Sequence, residues 1–238
     1  MQTSVFTFNR KLDNVVGFKT KRGYAVRKLI TPTNPNTKKQ VIGRARFKAL
    51  SIVATDLNNI ITPLYTYASR NKMSLRNAFV KLNYPVVQTV DPASEGAINT
   101  EKLDYNKLQL TNGSFPGVVF GRADFNTPQL VTVTFEDMPG VAPDDIVVLA
   151  AYIPSLNLTL TEKVKASSHT VAMPLPKAAS GETIQLWGYT QHFNTEQARV
   201  DYEAAFKNDG VIVDALARNS AMNSKFSHTT YLGNGVIG

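Results

Sequence analysis

The chain has 238 residues, 43% hydrophobic and 18% charged, enough apolar content for one substantial core or two smaller ones and too much for a disordered protein. It contains no cysteine, which excludes disulfides, thiolate metal sites and thiol nucleophiles. The net charge of +8 is unevenly spread: residues 1–84 carry 16 Lys and Arg against Asp13 and Asp56, a net of +14, while the other 154 residues carry 10 basic and 16 acidic side chains, a net of −6. Such opposition points to a polyanionic partner for the first part, or to docking of one part on the other within or between chains; a solvated basic face serving solubility is the plainer alternative.

The opening residues MQTSVFTFNRKLDN lack the basic-then-apolar order of a secretory signal, and no apolar run approaches the length of a membrane span. The expectation is a cytoplasmic protein with no membrane partner. Val15 to Lys19 and Tyr24 to Ile30 read as two extended runs joined by a Lys/Arg turn ending at Gly23, a basic β-hairpin. Pro32 and Pro35 then hold the chain extended, and Thr37 is placed to cap a helix. From Lys38, the residues Ile42, Ala45, Ala49, Val53, Leu57 and Ile60 recur at spacings of three and four and predict one buried helix face, with Arg44 and Lys48 pointing away and Arg46 near its centre. Pro63 fits the first turn of a short helix, Ser74 caps another containing Leu75, Ala78, Phe79 and Leu82, and Pro85 ends the helical part.

Residues 86–103 are polar and aperiodic, and read as a linker. Beyond them the period changes to two. Val131, Val133 and Phe135 alternate with polar residues, as do Leu156, Leu158 and Leu160, and then Val171, Met173 and Leu175. Ile146–Tyr152 and Ile184–Tyr189, the latter holding the sole tryptophan, are continuous apolar runs suited to central strands. With Leu108–Leu110, Val118–Phe120 and Thr229–Leu232 they make seven or eight strands at the intervals of an antiparallel Ig- or fibronectin-like β-sandwich. A helix capped by Thr195, with Ala198, Tyr202 and Phe206 on one face, interrupts them near 195–209 as an insertion. The expected fold is α+β: a basic hairpin and helical segment over 1–85, the linker 86–103, and a sandwich over 104–238.

The VVG-containing hairpin, the Lys/Arg-rich stretch, the NPNTKKQVIGRARF element and the late YLG together resemble a family of uncharacterised proteins, a domain of unknown function common in Bacteroidota and their mobile elements. The likeness covers most of the chain and implies an architecture without catalytic residues. The NPxTxxQ element beside a basic helix is also similar to segments of phage virion proteins, which implies an assembly role by analogy. The chain departs from the family pattern in its longer final strand connection, so the resemblance does not account for the helical insertion.

Catalytic chemistry has little to stand on. His169, His192 and His228 show no metal-ligand spacing and read as ordinary strand histidines, although two imidazoles and a carboxylate would suffice for zinc if His192 and His228 met on neighbouring strands. Asp144 and Asp145, adjacent in sequence, face opposite ways in a strand or cap a turn, and make poor acid–base candidates. No G-x-S-x-G elbow, Walker A loop or G-x-G-x-x-G turn occurs, and Gly233 and Gly235 read as a C-terminal tail. The reading is a non-enzymatic protein with no cofactor and no metal.

The candidate contact residues are the cations Lys19, Lys21, Arg22, Arg27, Lys28, Lys38, Lys39, Arg44 and Lys48, with Phe18, Tyr24 and Phe47 interleaved; Tyr24 and Phe47 are expected in the core rather than as stacking platforms. Such a cluster suits an acidic surface on a neighbouring copy or another protein, and equally a phosphate backbone read without sequence preference. The first expectation is therefore an assembly subunit, in the cytoplasm or in a virion, and the alternative is a sequence-independent nucleic-acid-binding protein.

Overall fold

The computed structural model describes residues 11–12, 15–20, 23–28, 30, 37–86, 103–205 and 214–237. The chain divides into two compact units, Met1–Lys38 and Lys39–Gly238. In the first, β1 (Lys11–Leu12), β2 (Val15–Thr20) and β3 (Gly23–Lys28) form an antiparallel sheet in that order. The register sets Phe18 opposite Ala25, Gly17 opposite Val26 and Val16 opposite Arg27. The expected basic hairpin is thus present, extended by the short β1; the turn residues Lys21 and Arg22 lie outside the described residues.

The second unit opens with α1 (Lys38–Asp56), α2 (Tyr65–Arg70) and α3 (Leu75–Asn83). Pro63 sits in a 3-10 turn, Thr62–Leu64, leading into α2, where a missing N–H costs nothing. Ser74 caps α3, its Oγ accepting the Asn77 N–H at 3.2 Å. Strands β4 (Val119–Asp124), β5 (Leu130–Glu136), β6 (Ile146–Ile153), β7 (Leu158–Lys165), β8 (Thr170–Pro174) and β9 (Thr183–Phe193) follow. Next come α4 (Glu196–Ala205), α5 (Asp214–Met222), β10 (Ser224–Phe226) and β11 (Thr230–Val236), so the fold class is α+β as expected.

All named strand pairs are antiparallel. One sheet runs β4-β5-β8, and the other β7-β6-β9, with the outer edge of β9 shared between β10 along Gln191–Phe193 and β11 along Thr183–Gly188. The two sheets pack face to face like a sandwich. Val131, Val133, Val171 and Met173 of the smaller meet Val147, Leu149, Ala151 and Leu186 of the larger in one buried cluster. Alternation in β5 follows directly, since only one of its faces is covered.

Strand β6 does not alternate: every residue from Val147 to Ile153 is buried. Its second face and that of β9 are covered by helices, with Ala150, Tyr152 and Trp187 packed among Leu50, Val53, Leu57, Leu64 and Phe79. Trp187 is fully buried, donates its indole N–H to the Tyr105 carbonyl at 3.2 Å, and lies between the rings of Tyr105 and Tyr231, with centroids at 6.3 and 5.9 Å.

This packing alters the expected partition. Helices α1 and α3 share a core with the larger sheet, and α1 to α3 belong to the unit that begins at Lys39, instead of forming a segment with the hairpin up to residue 85. Two apolar surfaces, one helical and one sheet-borne, each lacked cover and supply it to each other. The expected linker lies for the most part, from residue 87 to 102, outside the described residues. Of the predicted face, Ala49 and Val53 on α1 and Leu57 and Ile60 in the turn beyond its end are buried, while Ile42 and Ala45 are only half-buried, because full cover begins at Ala49.

Smaller corrections follow from the same core. Leu108 and Leu110 are buried against helices after a 3-10 turn, Tyr105–Lys107, and are not part of a strand. Leu156 lies in a turn, Pro154–Leu156, and the strand starts at Leu158. Gly233 and Gly235 are inside β11 rather than in a tail: Gly233 takes φ +109° at a register shift, where other residues would be strained, and a Cβ on Gly235 would come 2.7 Å from the Phe125 ring. The helical insertion is longer than expected, since α5 and β10 follow α4; Thr195 Oγ1 accepts the Ala198 N–H as the cap predicted for α4.

Candidate functional site

The nine cations singled out in the sequence fall into two groups. Lys19 lies in β2, in register with Tyr24; Arg27 and Lys28 are exposed on β3. Arg27 holds its guanidinium 5.7 Å from the centre of the Phe18 ring, and Phe18 is 39% exposed, so a planar cation lies over a solvent-facing aromatic residue. Val26 and Ile30 are more exposed still, at 57% and 76%. Lys21 and Arg22 are outside the described residues. The second group, Lys38, Lys39, Arg44 and Lys48, is exposed on the first half of α1, with Arg44 and Lys48 one turn apart.

Arg46, expected near the centre of the buried face, is half-buried and sets its guanidinium 6.0 Å from the Tyr84 ring. Gly43 permits that approach, since a Cβ there would lie 3.3 Å from the Tyr84 hydroxyl. Phe47 is 52% exposed, contrary to its expected core position, because the sheet does not reach this half of the helix. The side chain of Tyr24 lies outside the described residues.

A second feature was not read from the sequence. The stretch 110–118 runs alongside the connection from β10 to β11 and is tied to it by hydroxyls. Thr111 Oγ1 donates to the Ser227 carbonyl at 2.6 Å, and Thr229 Oγ1 accepts the amides of Leu110 and Thr111 at 3.0 and 2.9 Å. Thr190 Oγ1 accepts the Val118 amide at 3.0 Å, and Ser227 Oγ accepts the Thr190 amide at 2.8 Å. The Phe115 amide donates to the Phe226 carbonyl at 3.0 Å. At Gly113 the two backbones are so close that a Cβ would fall 1.7 Å from the Phe226 oxygen, so only glycine fits. Between this braced loop, the edge of β10 and the turn entering α2 lies a groove of about 440 Å³, lined among others by Thr66, Tyr67, Arg70, Asn112, Ser114, Phe115 and Lys225.

Behind one wall of the groove stands a histidine–aspartate hydrogen bond. The Phe115 ring stacks on the His192 imidazole at 5.1 Å, with 23° between planes. His192 Nδ1 lies 2.7 Å from Asp145 Oδ1, and the other carboxylate oxygen accepts the Ala142 N–H at 2.7 Å. With the carboxylate as acceptor, Nδ1 carries the hydrogen. Asp145 is buried whereas Asp144 is exposed and paired with Lys165 at 2.7 Å, which holds the Asp144 carboxyl below its usual value. The adjacent aspartates do face opposite ways, but the buried one positions a histidine.

The three histidines stay apart from strand neighbourhoods of the kind expected. Only His192 lies in a strand; His169 occupies a left-handed turn position at φ 52°, and His228 is exposed between β10 and β11. Among the described residues no three His, Asp or Glu side chains gather as metal ligands would, and no helix is long and apolar enough to cross a membrane.

Lys163 on β7 is a half-buried cation. Its ammonium lies 4.6 Å from the centre of the Tyr202 ring of α4, and burial pushes its pKa down to about 7, opposed by the Glu162 carboxylate. Between pH 7 and the ordinary lysine value of 10.5, the unfolded chain therefore holds a proton that the folded chain has released, and stability rises with pH. The buried phenols of Tyr189 and Tyr202 act the other way: burial raises both, so stability falls as pH climbs past the ordinary tyrosine value of 10.0. Urea midpoints measured from neutral pH upward should rise and then fall; Lys163→Met should remove the rise and keep the fall. An unchanged rise in that variant would place its origin elsewhere.

No protein-family model matches the chain, and no curated protein matches it.

Proposed function

We propose that the chain is a non-enzymatic assembly subunit whose basic N-terminal part docks on an acidic surface of a neighbouring copy or another protein. The observation that supports this most directly is the hairpin. It forms a compact unit of its own, exposes Phe18, Val26 and Ile30 beside Arg27 and Lys28, and has as its third strand only the two residues Lys11–Leu12. Apolar residues left uncovered on so small a sheet call for a partner surface, and the flanking cations select an acidic one. The unit Lys39–Gly238 as a whole carries +1, but its acidic side chains concentrate from residue 85 onward, where the net is −6, so the docking surface is a local acidic patch and not the body at large. The resemblance to the Bacteroidota family and to phage virion segments agrees with this role, in the cytoplasm or in a particle.

The test is the association state. Light scattering of the full chain should show concentration-dependent association that weakens between low and moderate salt. Deleting residues 1–36 should abolish it while leaving the unfolding transition of the body in place. A strict monomer at high concentration in both salts would overturn the reading.

A second reading, sequence-independent binding of nucleic acid, is favoured by one feature, the exposed Phe18 capped by Arg27, which offers stacking and charge together. Affinity for single-stranded DNA should then fall steeply with salt and should drop on Phe18→Ala as well as on Arg27→Ala. Absence of binding at low salt to DNA and RNA, single- or double-stranded, would eliminate it.

A further inference from the structure

We infer that the groove between the 112–116 loop, β10 and α2 is a binding site for a small ligand that combines an anionic group with a planar ring, the chemistry of a nucleoside monophosphate. None of its lining residues is among the hairpin or helix cations, and it does not depend on the assembly role. Its volume of about 440 Å³ falls within the range of small-ligand sites, about 300 to 1,000 Å³. Arg70 and Lys225 both line it and both are exposed; neither forms an ion pair among the described residues. No aspartate or glutamate is among the lining residues, so the charge presented to the groove is of one sign. Asn112 and Ser114 add neutral hydrogen-bonding side chains, and Tyr67 and Phe115 add aromatic surface.

The walls are built in advance. The loop carrying Asn112, Ser114 and Phe115 is fixed by Thr111, Thr190, Ser227 and Thr229, and its close approach to β10 requires Gly113. The Phe115 ring is backed by His192, which Asp145 holds. The aromatic wall is thus held by a half-buried histidine hydrogen-bonded to a buried aspartate; preorganisation of this kind lowers the ordering cost of binding. Arginine and lysine meet a phosphate with charge-assisted hydrogen bonds, and an aromatic side chain meets a base by its face.

The experiment is an amide NMR titration of the full chain with adenosine 5′-monophosphate. The expected result is saturable shifts at Arg70, Gly113, Phe115 and Lys225, weakened by about tenfold or more in the Arg70→Ala/Lys225→Ala double variant, as loss of charge-assisted contacts implies. Both side chains are exposed, and the amide spectrum itself reports whether that variant is folded. Arg44→Ala/Lys48→Ala should leave the affinity unchanged. Adenosine and inorganic phosphate should each bind more weakly than the nucleotide. The proposal is overturned if no saturable shift occurs at the groove, if shifts appear only at Arg27, Lys28, Lys38 and Lys39, or if the double variant binds as the wild type does. It also falls if inorganic phosphate binds as well as the nucleotide, for then the aromatic wall has no part.

Discussion

Replacing Trp187 with alanine is expected to cost about 3–5 kcal/mol, the range for truncating a large buried aromatic. The side chain has no exposed surface and joins the sheet to the helices, so the cavity would open where Tyr105, Tyr152 and Tyr231 lean on one ring system. The Tyr105 carbonyl would also lose its indole donor. Chemical unfolding of the full chain measures the loss directly. Phe47→Ala is the companion, an aromatic of α1 that is 52% exposed, whose loss should change stability by no more than about 0.5 kcal/mol. Comparable costs for the two would mean that the helices are not packed on the sheet as described.

Asp145→Ala should be the next most damaging change, costing about 2–3 kcal/mol. Its carboxylate serves two donors, the Ala142 amide and the His192 imidazole, and both lose their partner on truncation. Asp145→Asn keeps one accepting oxygen and replaces the other with a donor, so it should fall between alanine and the wild type. Asp144→Ala, which removes an exposed bridge to Lys165, should leave stability essentially unchanged. Denaturation of the three variants side by side checks the order. If Asp144 proved the costlier residue, the Asp145–His192 pair would not be bracing the loop.

The elements were legible where a physical signal repeats along the chain. Period two marked β5 and β8 because each buries one face, and Ser74 and Thr195 marked helix starts because their hydroxyls satisfy amides a few residues on. The continuous runs in β6 and β9 were recognised as central strands. Their further meaning, that something must cover the second face, was the step missed, and it is what joins the helices to the sandwich. A run buried on both sides cannot be covered by one partner sheet. The charge asymmetry located the hairpin cations, but composition is blind to where side chains meet in space.

The groove was illegible for a different reason. Thr111, Thr190, Ser227 and Thr229 are ordinary polar residues, scattered over 118 positions in the pairing of Thr111 with Thr229. Nothing local distinguishes a threonine that ties two distant loops from one facing water. Asp145 and His192, 47 residues apart, meet only because β6 and β9 are adjacent. A local clue that went unread is Gly113 in the TNGSFPG stretch, a place where two backbones nearly touch.

The shared helix–sheet core has a consequence for the chain during its synthesis. Asp56 meets its partner Tyr152 across 96 residues, and the faces of α1 and α3 find no sheet until β6 and β9 have been made. At ribosomal speeds of about 5–20 residues per second, that interval lasts several seconds. Through it the nascent chain carries its most cationic stretch together with uncovered leucines and isoleucines. Long-range closure of this kind slows folding and leaves apolar surface open to capture. The surfaces that end as core are, for those seconds, the stickiest part of the molecule.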